Sequence, residues 1–421
     1  MTTSFVIKPE SNESPFDRQE RLSWWKQDVL RQARILIIGA GALGNEALKN
    51  LALLGAGRLM VVDFDTISAS NLSRTLLFRP EDVGRPKAEL AAQRTRDLIL
   101  EPTARIQSLN ADLVWDIGLG LFRRMDVILG CVDNDEARLA INRAARSVGT
   151  PWINAGIYEL AGSVTVFSGT DHSCFECNIT SDQVADAQSR YDSCEQVKKR
   201  YLEAERLPTV QVTSALISAL QVQEAVKLLH QERVECGVRL AYNGFTHGFH
   251  RIQLPENPDC LAHGHLSTIV ESPARAKTTT LGDFLDWLET EFGSGIHIDL
   301  GRRFIEGIRC RSCHQWIELN RPAHRVFDDE MYCPDCRLGA KHQATPVLTT
   351  PTEASTYLKA ATRISRHHLG DSPLPSPTLD LTLWDLGIPQ LHILSVTDAQ
   401  GRVHSVELTG DITELLADWD L

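Results

Sequence analysis

The chain is short of positive charge: 43 Lys and Arg stand against 55 Asp and Glu, a formal charge of -12. That balance argues against a general nucleic-acid binder, although it leaves room for a local basic groove. The chain also lacks any apolar run of membrane-spanning length, and its opening MTTSFVIKPESNESP has no signal-peptide core. The expectation is a cytoplasmic protein with no membrane association. Internal repeats and low-complexity tracts are absent too, so a stacked-repeat architecture is not expected. What is present is ordinary for a globular protein: 421 residues, 43% hydrophobic and 23% charged, enough for two or three domains with ample core.

The most informative stretch is ILIIGAGALGNEALKNLALLGAGRLMVVDFDTISASNLSR, from Ile35 to Arg74. A β-branched strand runs into Gly39-x-Gly41-x-x-Gly44, a helical pattern follows, and a second strand ends at Asp63 and Asp65. Glycines let the backbone turn tightly and approach a phosphate, and the helix start offers free N–H groups and a positive dipole end. Asp63 falls where a carboxylate reaches a ribose hydroxyl. These features alone would suit an NAD-dependent dehydrogenase.

The next residues redirect that reading. Ser70-Asn71-Leu72-Ser73-Arg74 follows directly, and Gly84-Arg85-Pro86-Lys87 comes soon after. Hydride transfer has no use for a converging Asn, Arg and Lys, whereas a triphosphate gathering negative charge in its transition state does. The strand 126–131 leads into Cys131-Val132-Asp133-Asn134, and Asp133 stands where open α/β sheets place ligands, positioned to hold Mg²⁺.

With these motifs in order, the chain resembles the ThiF/MoeB/E1 superfamily, ATP-dependent enzymes that adenylate the C-terminal carboxylate of a ubiquitin-like protein. The resemblance runs from Phe16 to about His263. It implies a Rossmann-like, mostly parallel α/β sheet in which Gly39, Gly41 and Gly44 form the phosphate loop and Asp63, with Asp65 beside it, serves the ribose. It implies that Asn71, Arg74 and Lys87 contact phosphates and that Asp133 lies near Mg²⁺. Arg18 resembles the family's arginine that reaches into the partner subunit's nucleotide site, which implies a homodimer.

The ten cysteines are grouped rather than scattered. Cys310-x-x-Cys313 and Cys333-x-x-Cys336 form a self-contained four-thiolate set, read as a zinc ribbon. Cys174-x-x-Cys177 needs partners, for which the best candidates are Cys260 and His263, with His265 a rival fourth ligand. The family places a second CxxC in a similar Asn-Pro context. Two structural zinc ions are therefore expected. Cys131 reads as a core residue, and Cys236 has no supporting pattern. Cys194, before the apolar helix 210–229 and near Lys198, Lys199 and Arg200, matches the place of the family cysteine that takes the activated acyl group as a thioester. The glycine-rich segment usual after that cysteine is replaced here by a longer charged one.

The expected organisation is a helical arm over 1–33, an adenylation domain over 34–270, a helix plus zinc ribbon over 271–344, and a linker with a small β or α+β unit over 345–421. Within these, 278–292 reads as an amphipathic helix and 391–408 as a hairpin. His247, His250, His367 and His368 read as surface residues. The added modules and the Leu383-Trp384-Asp385-Leu386-Gly387-Ile388-Pro389 segment resemble activating enzymes of bacterial ubiquitination-like operons, including the Bil antiviral type. The leading expectation is an E1-like enzyme that passes its substrate through Cys194 to an E2-like partner. A sulfur-carrier or tRNA-modifying adenylyltransferase and a catalytically silent zinc-containing scaffold are the alternatives.

Overall fold

The computed structural model describes residues 14–169, 172–180, 182–184, 208–266, 268–310, 313–326, 330, 333–337, 356–374, 376–417 and 419. Within the expected helical arm over 1–33, the described residues form two short helices, α1 (Asp17–Glu20) and α2 (Gln27–Gln32). The break between them turns the Trp25 ring onto His230, 5.0 Å between centroids, and lets its indole N–H donate to Gln27 Oε1 at 3.0 Å.

Strands β1 (Arg34–Ile38), β2 (Arg58–Val62), β3 (Arg105–Leu109), β4 (Val127–Gly130) and β5 (Trp152–Tyr158) lie parallel in the order β3-β2-β1-β4-β5. Strands β6 (Ala161–Phe167), β7 (Val238–Asn243) and β8 (Gly248–Gln253) extend the sheet antiparallel. After their first residues, β1 and β2 are buried throughout, which explains their unbroken apolar sequences: helices cover both faces of a parallel sheet.

One face packs α3 (Ala42–Leu54), α4 (Lys87–Arg96) and α7 (Gln211–Leu229) over Ile35, Ile37, Leu59 and Val61. The other packs α5 (Leu119–Arg123) and α6 (Asp135–Val148) over Leu36, Ile38, Met60 and Ile128, together with Leu391, Leu416 and Trp419 from the far end of the chain. Gln221 is fully buried in α7, and its side-chain amide donates to Gly130 O at 3.1 Å and Ile153 O at 2.8 Å. It thereby pins the helix to the end of β4, where the Cys131–Asn134 segment begins.

A second eight-stranded sheet collects β9 (Ile269–Ser272), β10 (His297–Cys310), β11 (Trp316–Pro322), β12 (Thr356–Ile364), β13 (His368–Leu369), β14 (Ser372–Pro373), β15 (Ile393–Thr397) and β16 (Val403–Leu408). The stretches read as separate units over 271–344 and 345–421 share this sheet, because β10 pairs with both β12 and β15. The expected amphipathic helix is α8 (Leu281–Phe292), whose Leu281, Phe284, Leu285 and Leu288 are wholly buried against the sheet. Short helices α9 (Pro334–Arg337) and α10 (Ile412–Leu415) complete the described elements. Among the described residues no helix is long and apolar enough to cross a membrane.

Candidate functional site

A cavity of about 240 Å³ opens at the carboxyl ends of β1, β2 and β4, where the strand order reverses. This is the switch point at which open α/β sheets bind ligands. Gly39, Gly41, Asp63, Asp65, Asn71, Arg74, Lys87 and Asp133 all line it. Gly44 does not, because it is a packing residue: a Cβ there would lie 1.9 Å from Gly39 O. Gly39 has φ +96°, and a side chain on it would strike Cys131 O. Gly41 differs from both. It caps the start of α3 with no side-chain hydrogen bond, and a Cβ there would meet nothing within 4 Å. The helix start therefore faces open space with its first N–H groups free for an anion.

Asp63 and Lys87 are set by the turns that carry them. Asp63 accepts from Ala40 N at 2.7 Å and Asp65 N at 2.8 Å, bracing the phosphate loop from the end of β2. Burial, the dominant influence, raises its pKa, against the pull of the Lys87 charge and the Ala40 N–H. The segment after β2 pairs with the one before α4, through Ile67 N to Arg85 O and Gly84 N to Ile67 O, both 2.8 Å. That pairing brings the buried Lys87 ammonium within 2.7 Å of Asp65. Asn71 receives the Ser68 N–H on its Oδ1 at 2.9 Å, and Arg74 donates to Ser70 O at 2.8 Å. Among the described residues neither Arg74 nor Asp133 has an oppositely charged partner. Asn134 caps α6 by accepting from Ala137 N at 2.8 Å, which leaves Asp133 exposed at the rim.

Three parts of the wall were not anticipated from the sequence. Ala111, Asp112, Leu113 and Val114 come from the loop after β3. Arg138, one turn past Asn134 on the same face of α6, is held by Val132 O at 3.0 Å and by Asp135. Its helical spacing from the Asp-Asn pair was the available signal. Thr209 enters from the chain returning to α7, fastened where Glu159 N donates to Pro208 O at 2.7 Å.

One expected residue lies elsewhere, and another falls outside the described residues. Arg18 is exposed on α1, which docks at the carboxyl end of α3 through Gln19 Nε2 and Leu54 O. Thirteen helical residues, about 20 Å, separate that end from the phosphate loop. Cys194, with Lys198, Lys199 and Arg200, lies outside the described residues. Cys131 lines the cavity, but burial drives its thiol up to about 12, with the hydrogen bond to Gln221 opposing, so it remains protonated at neutral pH. Burial raises the Cys236 thiol as well.

A second constellation gathers Cys174, Cys177, Cys260 and His263, with their donor atoms all within 4.8 Å of one another. The Cys174 sulfur is 3.6 Å from that of Cys177 and 3.7 Å from that of Cys260, and Cys177 Sγ is 3.1 Å from His263 Nε2. Tetrahedral zinc with arms of about 2.3 Å places sulfurs about 3.8 Å apart, so the donor set fits that ion. Asn142 supports it, donating to Cys174 Sγ at 3.4 Å and accepting from Phe175 N at 3.0 Å. His265 is exposed and turned toward Gly149 instead. Cys310, Cys313 and Cys333 form another such group, with the latter two sulfurs 3.6 Å apart. The side chain of Cys336 lies outside the described residues.

The model of the ThiF family matches residues 16–262. The chain is 30% identical over 244 residues to ubiquitin-like modifier-activating enzyme 5 of Oryza sativa subsp. japonica, a match covering 55% of this chain and 56% of that protein. It is 30% identical to the sulfur carrier protein adenylyltransferase of Thermus thermophilus, over 56% of this chain and 83% of that one. It is 32% identical to the molybdopterin-synthase adenylyltransferase of Salmonella typhimurium, over 56% of this chain and 88% of that one.

Proposed function

The chain belongs to the ThiF family, and from that premise we propose that it uses ATP to adenylate the C-terminal carboxylate of a ubiquitin-like protein. One observation carries the reading: an uncapped helix start at Gly41 opens onto a cavity where Asn71, Arg74, Lys87 and Asp133 converge. In the reaction a carboxylate oxygen attacks the α-phosphorus. The bond to the bridging oxygen breaks, pyrophosphate leaves with the electron pair, and an acyl-adenylate remains. Arg74 and Lys87 neutralise charge that grows on the phosphates, and Gly41 and the N–H groups that follow it cradle them. Asp133 would hold Mg²⁺, which supplies further charge neutralisation. Asp63 serves the ribose, with Asp65 holding Lys87 in place. Arg18, on α1 at the far end of α3 from the phosphate loop, acts in the cavity of a second copy, so the working form is a homodimer.

The finer step is thioester formation at Cys194. Its thiolate attacks the acyl carbonyl, AMP departs, and the acyl group passes on to an E2-like enzyme. The return of the chain to the cavity wall at Thr209 supports a route between that segment and the nucleotide, and the poor acidity of Cys131 and Cys236 supports the choice of thiol. Sulfur-carrier activation shares the adenylation step. It is favoured by matches spanning most of the Thermus and Salmonella proteins, and conjugation by the sheet added after residue 268. The constellation of Cys174, Cys177, Cys260 and His263 is a structural zinc site, since four protein ligands leave no open position, and Cys310, Cys313 and Cys333 together with Cys336 would make a second.

The test is ATP–pyrophosphate exchange with the cognate ubiquitin-like protein. Arg74→Ala should lose about 10²–10³-fold, the scale for one transition-state donor, and Asp133→Ala should lose most activity. Exchange at the wild-type level in Asp133→Ala would refute the assignment.

A further inference from the structure

The loop between β3 and α5 belongs to two bodies at once. On one side Ala111, Asp112, Leu113 and Val114 wall the nucleotide cavity. On the other, the residues that follow are clasped by the second sheet. The Trp115 ring stacks on His324 with centroids 4.5 Å apart and planes 8° apart. The Arg302 guanidinium lies 5.5 Å over the same ring and donates to Trp115 O at 2.9 Å. Gly120 N donates to Leu391 O at 2.8 Å, and Leu119 N to His392 Nδ1 at 3.4 Å. Just beyond, Glu407, wholly buried in β16, receives both Arg123 at the end of α5 and Arg124 directly after it.

The loop transmits because it is a closed turn. Trp115 N and Asp116 N donate to Asp112 O at 3.2 and 2.8 Å. Asp112 N donates to Asp116 Oδ2, and Val114 N to Asp112 Oδ1, both at 2.9 Å. Trp115 therefore cannot swing without carrying Leu113 and Val114, and those apolar side chains suit a nucleobase rather than a phosphate.

We propose that the second sheet sets the nucleobase wall of the ATP site by gripping Trp115, so that Trp115, Arg302 and His324 are positioning residues for ATP affinity. The proposal rests on the nucleotide reading above and adds that the additional sheet is part of the ATP site. Anything that docks on that sheet and shifts this grip would change ATP affinity, through a contiguous set of packed groups.

The experiment titrates the full-length protein by calorimetry with ATP–Mg²⁺ and separately with inorganic tripolyphosphate–Mg²⁺. Trp115→Ala should weaken ATP about 2- to 30-fold, the range for substitutions along a coupling network, and leave tripolyphosphate unchanged. Trp115→Phe, which keeps a ring for His324, should restore most of the ATP affinity. Arg302→Lys should fall between. Arg58→Gln is the control: it loosens the same long-range packing at Trp419 O, away from the cavity, and should alter neither ligand. Unchanged ATP affinity in Trp115→Ala would overturn the inference, as would an equal loss for both ligands. Failure of the wild type to bind ATP would overturn the nucleotide reading and the inference with it.

Discussion

Replacing Gly41 by serine separates a ligand-facing glycine from a packing glycine. At Gly41 the backbone has φ -75° and ψ -151°, and a Cβ would meet no protein atom within 4 Å. Serine is also a good residue for the start of a helix, at least as favourable as glycine. Gly41→Ser should therefore leave the unliganded protein within about 0.5 kcal/mol of wild-type stability, the ordinary range for a harmless substitution. The same side chain projects into the space where the triphosphate would lie. Losing one backbone hydrogen bond to a charged oxygen costs about 1.5–3 kcal/mol, and each 1.4 kcal/mol is about tenfold in affinity, so ATP binding should weaken by about 10- to 150-fold. Gly44→Ala provides the contrast. Its Cβ would stand 1.9 Å from a backbone oxygen, so the strand–helix junction must shift, at a cost of about 1–3 kcal/mol or more in stability. Denaturant unfolding without nucleotide and calorimetry with ATP–Mg²⁺ measure the two effects. A Gly41→Ser protein that binds ATP like the wild type would show that the helix start does not contact phosphate. One that unfolds as readily as Gly44→Ala would show that the open space is needed by the fold instead.

Elemental analysis should find two zinc ions per chain. His263→Ala should lose one, Cys310→Ser the other, and His265→Ala neither; loss of zinc in His265→Ala would contradict the observed geometry. Cys194→Ala should retain pyrophosphate exchange and lose the thiol-sensitive conjugate seen on a non-reducing gel, and a persisting conjugate would move the nucleophile elsewhere. Burial, helped by the Arg302 charge, holds His392 down to about 3. Its folded pKa thus lies below the unfolded value, the unfolded chain binds the extra proton as pH falls through 6.5, and stability drops. Between pH 7.5 and 5 that contribution is about 2 kcal/mol. His392→Gln should show a correspondingly shallower pH dependence in urea unfolding, and an unchanged slope would refute it.

By itself the sequence determined the elements whose information is local. The phosphate loop, the strand ends carrying Asp63 and Asp133, α8 with its buried Leu281, Phe284, Leu285 and Leu288, and the β15–β16 hairpin are all written in glycine spacing and apolar periodicity within a few residues. The CxxC spacing likewise announced groups of thiols before any contact was known. Tertiary structure alone decided what depends on residues far apart in the chain. His263 and His265 stand two positions apart in equally polar surroundings, and only the path of the chain after Cys260 turns the first toward the sulfurs and the second toward Gly149. Where the N-terminal arm breaks into two helices, Trp25 packs on His230, a contact across more than two hundred residues. The loop after β3 has no motif of its own. Its place in the cavity wall comes from strand order, and its attachment to the second sheet comes from Arg302, His324 and Leu391, long-range partners that no local pattern encodes.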